Sequence, residues 1–165
     1  MNKEILEIIK YPAPILREKC KLLEDITVEE ARLFENMVFA MRNFKGVGLA
    51  APQIGILSQL LVFEAGERVI KLANPEILSF KGKDRMVEGC LSVPYVNVEV
   101  ERPFEVTVKG LNENGRQVEL ILKGMPARVL LHEIDHLNGR LIIDYMSLIG
   151  KVKFKLIKKC DKRKR

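Results

Sequence analysis

Only two histidines occur in the 165 residues, His132 and His136, and they stand four apart. On a helix of about 3.6 residues per turn that spacing stacks both rings on one face, where they can share a metal ion. Glu133 follows directly and projects roughly 100° away. A carboxylate there flanks the open side of a metal without ligating it, the place from which a hydrolase deprotonates water. A bare His-x-x-x-His also arises on surface helices, but with Glu133 in place the spacing is that of a metallohydrolase. Catalytic sites of this type use three protein ligands and keep one position open, so a third ligand must come from elsewhere.

The cysteines are the first candidates. Cys20, Cys90 and Cys160 are odd in number and scattered, which suits a reducing compartment rather than a disulfide framework. Cys90 alone lies in a segment bounded by glycine and proline, Glu88 to Pro94. It is too far upstream of His132 to form a local motif. A buried small hydrophobe and a thiolate ligand both remain open for it.

A second unusual stretch runs from Gly46 to Gly55, with three glycines and two alanines around Gln53. It lacks the lysine of a phosphate-binding loop and the glycine spacing of a dinucleotide fold. One reading is a tight turn capped by Gln53. The other is a substrate-edge strand whose small residues admit a close backbone, with the Gln53 side-chain N–H facing a reacting carbonyl.

Several elements must position these residues. Tyr11 to Pro14 reads as an extended entry. Thr27 and Glu30 form a capping box for a first helix, whose apolar face is Ala31, Phe34, Met37, Val38 and Met41 and which Gly46 ends. Short apolar runs at Leu60–Phe63, Val69–Leu72 and Ile77–Phe80, the last two separated by a turn at Asn74-Pro75, predict antiparallel strands. Glu88 to Pro94 interrupts them. Alternation then resumes at Val98 and Val100 and continues through Phe104, Val106 and Val108. It runs on past a tight turn at Asn114-Gly115 to Val118, Leu120 and Leu122, predicting a half-buried hairpin system. The histidine helix opens near Pro126 and closes at Gly139. Its apolar residues Val129, Leu130, Ile134 and Leu137 bury it.

The hydrophobic content of 47% fills one core, so residues 1 to 150 are expected to form a single catalytic domain. No apolar run reaches the ~18 residues of a membrane span, and the first residues lack the apolar stretch of a signal peptide. A cytoplasmic protein without membrane or DNA partners is the expectation. The net charge of +6 is local: residues 151 to 165 carry nine basic side chains and one acid, a net +8, which leaves −2 for the rest. That basic tail, expected to be helical, is either a solvated terminus or a contact for a polyanion such as ribosomal RNA.

Three segments together resemble the signatures of the peptide deformylase family. Gly46 to Gln53 matches Gly-x-Gly-x-Ala-Ala-x-Gln, Glu88 to Ser92 matches Glu-Gly-Cys-Leu-Ser, and His132 to His136 matches His-Glu-x-x-His. The opening Tyr11-Pro12-x-Pro14-x-Leu16-Arg17 is also similar. The resemblance implies an α+β fold, with antiparallel sheets packed around a central metal-binding helix. It also implies hydrolysis of the formyl group from N-formylmethionyl nascent peptides, giving formate and a free α-amine. By the same resemblance Cys90, His132 and His136 hold the metal, typically Fe(II), with Zn(II) or Ni(II) also able to occupy the site. Glu133 acts as general base and then acid, and the Gln53 side chain and Leu91 backbone N–H meet the oxyanion. Gly48, Val47 and Val129 contact substrate.

The chain departs from the family pattern at Leu131, where a glutamine is usual, and at Tyr95-Val96-Asn97. These positions bear on the side-chain specificity expected of the enzyme more than on its activity. Two rivals differ in their needs. A metal endopeptidase on the same helix wants a third ligand downstream, where only Asp144 is available before the tail. An inactive ribosome-binding relative would have no use for an intact Glu133.

Overall fold

The computed structural model describes residues 6–162, with the side chains of residue 155 and of residues 157–162 left aside. The expectation about the first four residues, and most basic side chains of the tail, therefore lie outside the described residues. The first regular helix is α1 (Val28–Asn43). Its capping box forms as expected: Thr27 Oγ1 accepts from the Glu29 amide at 3.1 Å and Glu30 accepts from the Thr27 amide at 3.0 Å. Phe34, Met37, Val38 and Met41 are buried and Ala31 is partly so.

The helix ends one residue earlier than the glycine suggests. Lys45 takes the left-handed backbone, φ 56°. The amides of Lys45 and Gly46 bond back to the carbonyls of Arg42 at 3.0 Å and Met41 at 2.9 Å, the double closure of a Schellman turn. Gly46 is needed small for another reason, since a Cβ there would lie 2.8 Å from Leu91 Cδ1.

A five-stranded antiparallel sheet has the order β1-β2-β3-β6-β7, formed by β1 (Gly48–Ala50), β2 (Leu60–Ala65), β3 (Arg68–Lys81), β6 (Glu105–Leu111) and β7 (Gln117–Lys123). A separate pair is made by β4 (Asp84–Cys90) and β5 (Val93–Arg102). Against the sheet lies α2 (Met125–Leu137), in contact with β1, β2 and β7. Short 3-10 turns occupy Pro14–Arg17, Ala51–Ile54 and Ile142–Tyr145, and α3 (Leu148–Lys162) carries the basic segment. Antiparallel sheets around a central histidine helix are therefore observed.

Three sequence expectations need correction. The extended entry turns at Pro14, whose fixed φ suits the start of a 3-10 turn that buries Leu16. Asn74-Pro75 is no turn between strands: β3 runs through it as a bulge, with a register shift between Ala73 and Glu76. Asn74 absorbs the irregularity in a left-handed backbone, φ 49°, and its side chain bonds both backbone groups of Leu23 at 2.8 and 2.9 Å. Val98 and Val100 do not belong to the hairpin of β6 and β7. They pair with β4, because Pro103 has no amide to continue a ladder and the chain changes sheets there. Among the described residues no helix is long and apolar enough to cross a membrane.

Asn74→Ala removes two side-chain hydrogen bonds and places a Cβ residue with no local compensation in a left-handed backbone. It is expected to lower stability by about 2–3 kcal/mol. Urea denaturation reads this as a lower midpoint at unchanged m-value.

Candidate active site

The turn between β4 and β5 consists of Leu91 and Ser92 alone, and it holds Cys90 against α2. The Cys90 Sγ lies 3.2 Å from His136 Nε2, and the donor atoms of Cys90, His132 and His136 all lie within 4.8 Å of one another. The two histidine rings are 5.0 Å apart at 73°, as the four-residue spacing on α2 requires. Sequence spacing left Cys90 undecided between core residue and ligand, and the fold brings its sulfur to the histidines. Cys20 is instead packed in the core between the sheet and α2, where burial pushes its thiol up to about 11.

This donor set suits a metal ion. Burial, with the charges of His132 and Arg102 adding to it, lowers the His136 pKa well below its usual value, so the ring is neutral and offers a lone pair. Burial pulls His132 down as well, but hydrogen bonds with Cys90 and Glu88 outweigh it and hold the ring up at about 10. The surroundings of His132 thus favour positive charge, while those of His136 keep its ring neutral.

Behind His132 stands a buried ionic network that sequence reasoning did not find. Glu88 Oε2 meets His132 Nδ1 at 3.0 Å. Arg102 grips Glu88 through two bonds of 2.7 and 2.9 Å and reaches Asp135 at 2.9 Å. Arg128 adds a bond to Glu88 at 2.6 Å, and Tyr145 donates to Asp135 at 2.8 Å. Burial works against the Glu88 charge, yet His132 and Arg102 hold its pKa down at about 2. Arg102 shares the inward parity of Val98 and Val100 on β5, and that was the available signal: a charge where alternation calls for an apolar residue.

Glu133 is 3% exposed and its Oε2 has no hydrogen-bond partner. Burial pushes its carboxyl up to about 7, against the pull of His132 and Arg102, which suits a group that takes and returns a proton near neutral pH. A Cβ on Gly48 would overlap Glu133 Oε1 and lie 2.7 Å from Val129 Cγ1. Only glycine lets β1 pass so close to the carboxylate.

The glycine-rich stretch contains both a capped turn and an edge strand. Gln53 Oε1 caps the Ala50 amide at 2.8 Å, while Nε2 points to Ser92 Oγ at 3.3 Å and Cys90 Sγ at 3.9 Å. β1 is an edge strand of its sheet.

All of this opens into one cleft of about 270 Å³. Its walls include Val47, Gly48, Gln53, Cys90, Leu91, Val129, His132 and Glu133, so every anticipated site residue but His136 reaches it. Lys45, Val87, Met125 and Arg128 also line it and were not anticipated. Leu131 is partly buried and packs against the core between the sheet and α2, and Tyr95 stands fully in solvent with φ 64°. Asp144, the one downstream acid open to an endopeptidase, pairs with Arg17 and caps the Leu141 amide instead.

The sequence model of polypeptide deformylases matches residues 5–152. Peptide deformylase from Halothermothrix orenii is 48% identical over 148 residues, covering 88% of this chain and 96% of that protein. Among solved structures, peptide deformylase from Thermotoga maritima superposes with a TM-score of 0.84 at 40% identity, over 87% of this chain and 99% of that one. A Met-Ala-Ser-bound peptide deformylase from Acinetobacter baumannii gives 0.84 at 32%, over 88% and 100%. With the whole folded domain and all three signature segments inside these matches, the chain belongs to the polypeptide deformylase family, metallohydrolases that remove the N-formyl group from nascent peptides.

Proposed function

We propose that Cys90, His132 and His136 hold the single metal ion of this deformylase, Fe(II) in the cell, with Zn(II) and Ni(II) able to replace it. The observation that carries this reading is the convergence of one sulfur and two imidazole nitrogens within 4.8 Å beside the buried, unpartnered carboxylate of Glu133. Thiolate with imidazole suits all three metals, so ligand type does not choose among them. When bound, the ion supplies Lewis acidity toward the formyl oxygen and lowers the cost of ionising water.

The protein's own groups do the rest. Glu133 takes the proton of the attacking water and passes it to the leaving amine, its carboxyl already placed near 7 by burial. The Gln53 Nε2 and the Leu91 amide donate to the oxyanion that develops on the formyl group. Gln53 is prepared for this because its Oε1 is fixed by the Ala50 amide, which sets the orientation of its NH₂. The substrate is an N-formylmethionyl peptide, extended along the edge of β1 at Val47 and Gly48 with its methionine side chain beside Val129. A Met-Ala-Ser peptide is bound in the Acinetobacter baumannii relative, and formyl-Met-Ala-Ser is the matching test substrate here.

We further infer a cytoplasmic enzyme organised as one catalytic domain, residues 1 to 150, and a basic segment, residues 151 to 165, that brings it to ribosomal RNA. The +8 charge of that segment motivates this. Tyr11 and Phe154, with ring centroids 5.7 Å apart, seat the first turns of α3 on the domain.

Anaerobically prepared, iron-loaded protein is expected to release formate from formyl-Met-Ala-Ser. Glu133→Ala should lower kcat by at least about 10²-fold while metal analysis still finds one ion per chain; loss of the metal together with activity would contradict the role given to Glu133. Chelation should abolish formate release, and Fe(II), Ni(II) or Zn(II) should restore it to different degrees. Cys90→Ala should bring the metal content below one per chain. For the basic segment, replacing its nine lysines and arginines by glutamine keeps Phe154 in place. Cosedimentation with ribosomes should then fall, and in the unaltered protein it should weaken steeply with salt; binding indifferent to both would remove the segment's assigned role.

A further inference from the structure

The cleft carries a charge at its mouth that deformylation itself does not use. Lys45 lines the cleft, is exposed and makes no ion pair among the described residues. The acids nearest the histidines are already engaged or buried: Glu88 is held by Arg102 and Arg128, Asp135 by Arg102, and Glu133 is buried. A second cation lies close by, Lys10, whose Nζ donates to the Leu91 carbonyl at 2.6 Å and stands 6.0 Å from the Phe44 ring centroid. Among the described residues that line the cleft, Lys45 is thus the charged side chain without an ion pair or a burial partner. Lys45 also keeps its side chain at the left-handed position of the helix end, φ 56°, where glycine is the favoured residue, and such strained positions cluster at functional sites.

Chain direction says what meets this charge. Gly48 lies against Glu133 at the reacting end, and Val47, Gly46 and Lys45 lead back from it toward the mouth. Lys45 precedes Gly48 by only three residues, in the left-handed turn just before β1, which puts its long side chain within reach of the residues that follow the first one of an extended peptide. The geometry points to Lys45 as a specificity residue that favours acidic side chains immediately after the formylmethionine. The inference rests on the placement of the peptide along β1 proposed above. The formylated end of the substrate carries no charge, so side chains further along the peptide supply the charge that distinguishes one nascent chain from another at this mouth.

The test compares kcat/KM for two amidated peptides, formyl-Met-Glu-Glu and formyl-Met-Lys-Lys, in metal-loaded full-length protein. Wild type should prefer the acidic peptide by about threefold or more, mainly through KM, as an exposed ion pair allows. The preference should shrink as salt rises. Lys45→Glu should reverse the ratio. Lys45→Gly, which suits the left-handed backbone and removes the charge, should bring it toward the value set by Lys10 alone. A wild-type ratio near one, or an acidic preference undiminished in Lys45→Glu, overturns the assignment. Formate released from formyl-Met-Ala-Ser in the same assays reports deformylation separately, so loss of charge preference is not confused with loss of activity.

Discussion

The carboxylate of Glu88 is the point on which the site depends. It sits 7% exposed between two arginines and one histidine, and removing any one partner would leave a buried charge poorly compensated, a loss of several kcal/mol. Through it β4, β5 and α2 are tied together: Glu88 comes from the first, Arg102 from the second, Arg128 and His132 from the third. The same bond fixes His132 by its Nδ1 and leaves Nε2 free to face Cys90 and His136. Outer partners of this kind orient a ligand and tune its basicity.

The two-stranded sheet exists to serve this arrangement. Along β4 only Glu88 is buried, while Met86 and Val87 are exposed. The strand gains little from apolar burial and is held by its ladder to β5 and by the ion pairs beneath it. The short turn at its end carries Cys90 to His136. Rigidity at this turn matters because a ligand set misplaced by an ångström loses much of its value in catalysis.

On the opposite wall the glycine stretch and α2 are matched. Gly48 lets the backbone of β1 touch the Glu133 carboxylate. This shields Glu133 from solvent and raises its proton affinity. β1 remains an edge strand of the five-stranded sheet. Just before this strand Lys45 keeps its side chain at a backbone position that favours glycine.

Local chemistry was legible in the chain itself. The i, i+4 spacing of His132 and His136 with Glu133 between them, the capping box at Thr27 and the closing Gly139 depend on neighbours a few residues away, and the helix turn alone enforces them. The alternation in β6 and β7 was legible for the same reason. What only the tertiary structure decided are the long-range meetings: Cys90 with His136, Gln53 with Cys90, and Glu88 with Arg102 and Arg128. Hydrophobic periodicity marks which residues avoid water, but an inward charge breaks that pattern and carries no mark of its partner. β4 therefore went unread as a strand, and Arg102 was marked only by its parity with Val98 and Val100. The i, i+4 histidines on one helix were legible from their own spacing; which sulfur comes to stand beside them, and which carboxylate bonds His132, depends on how the strands fold back upon that helix.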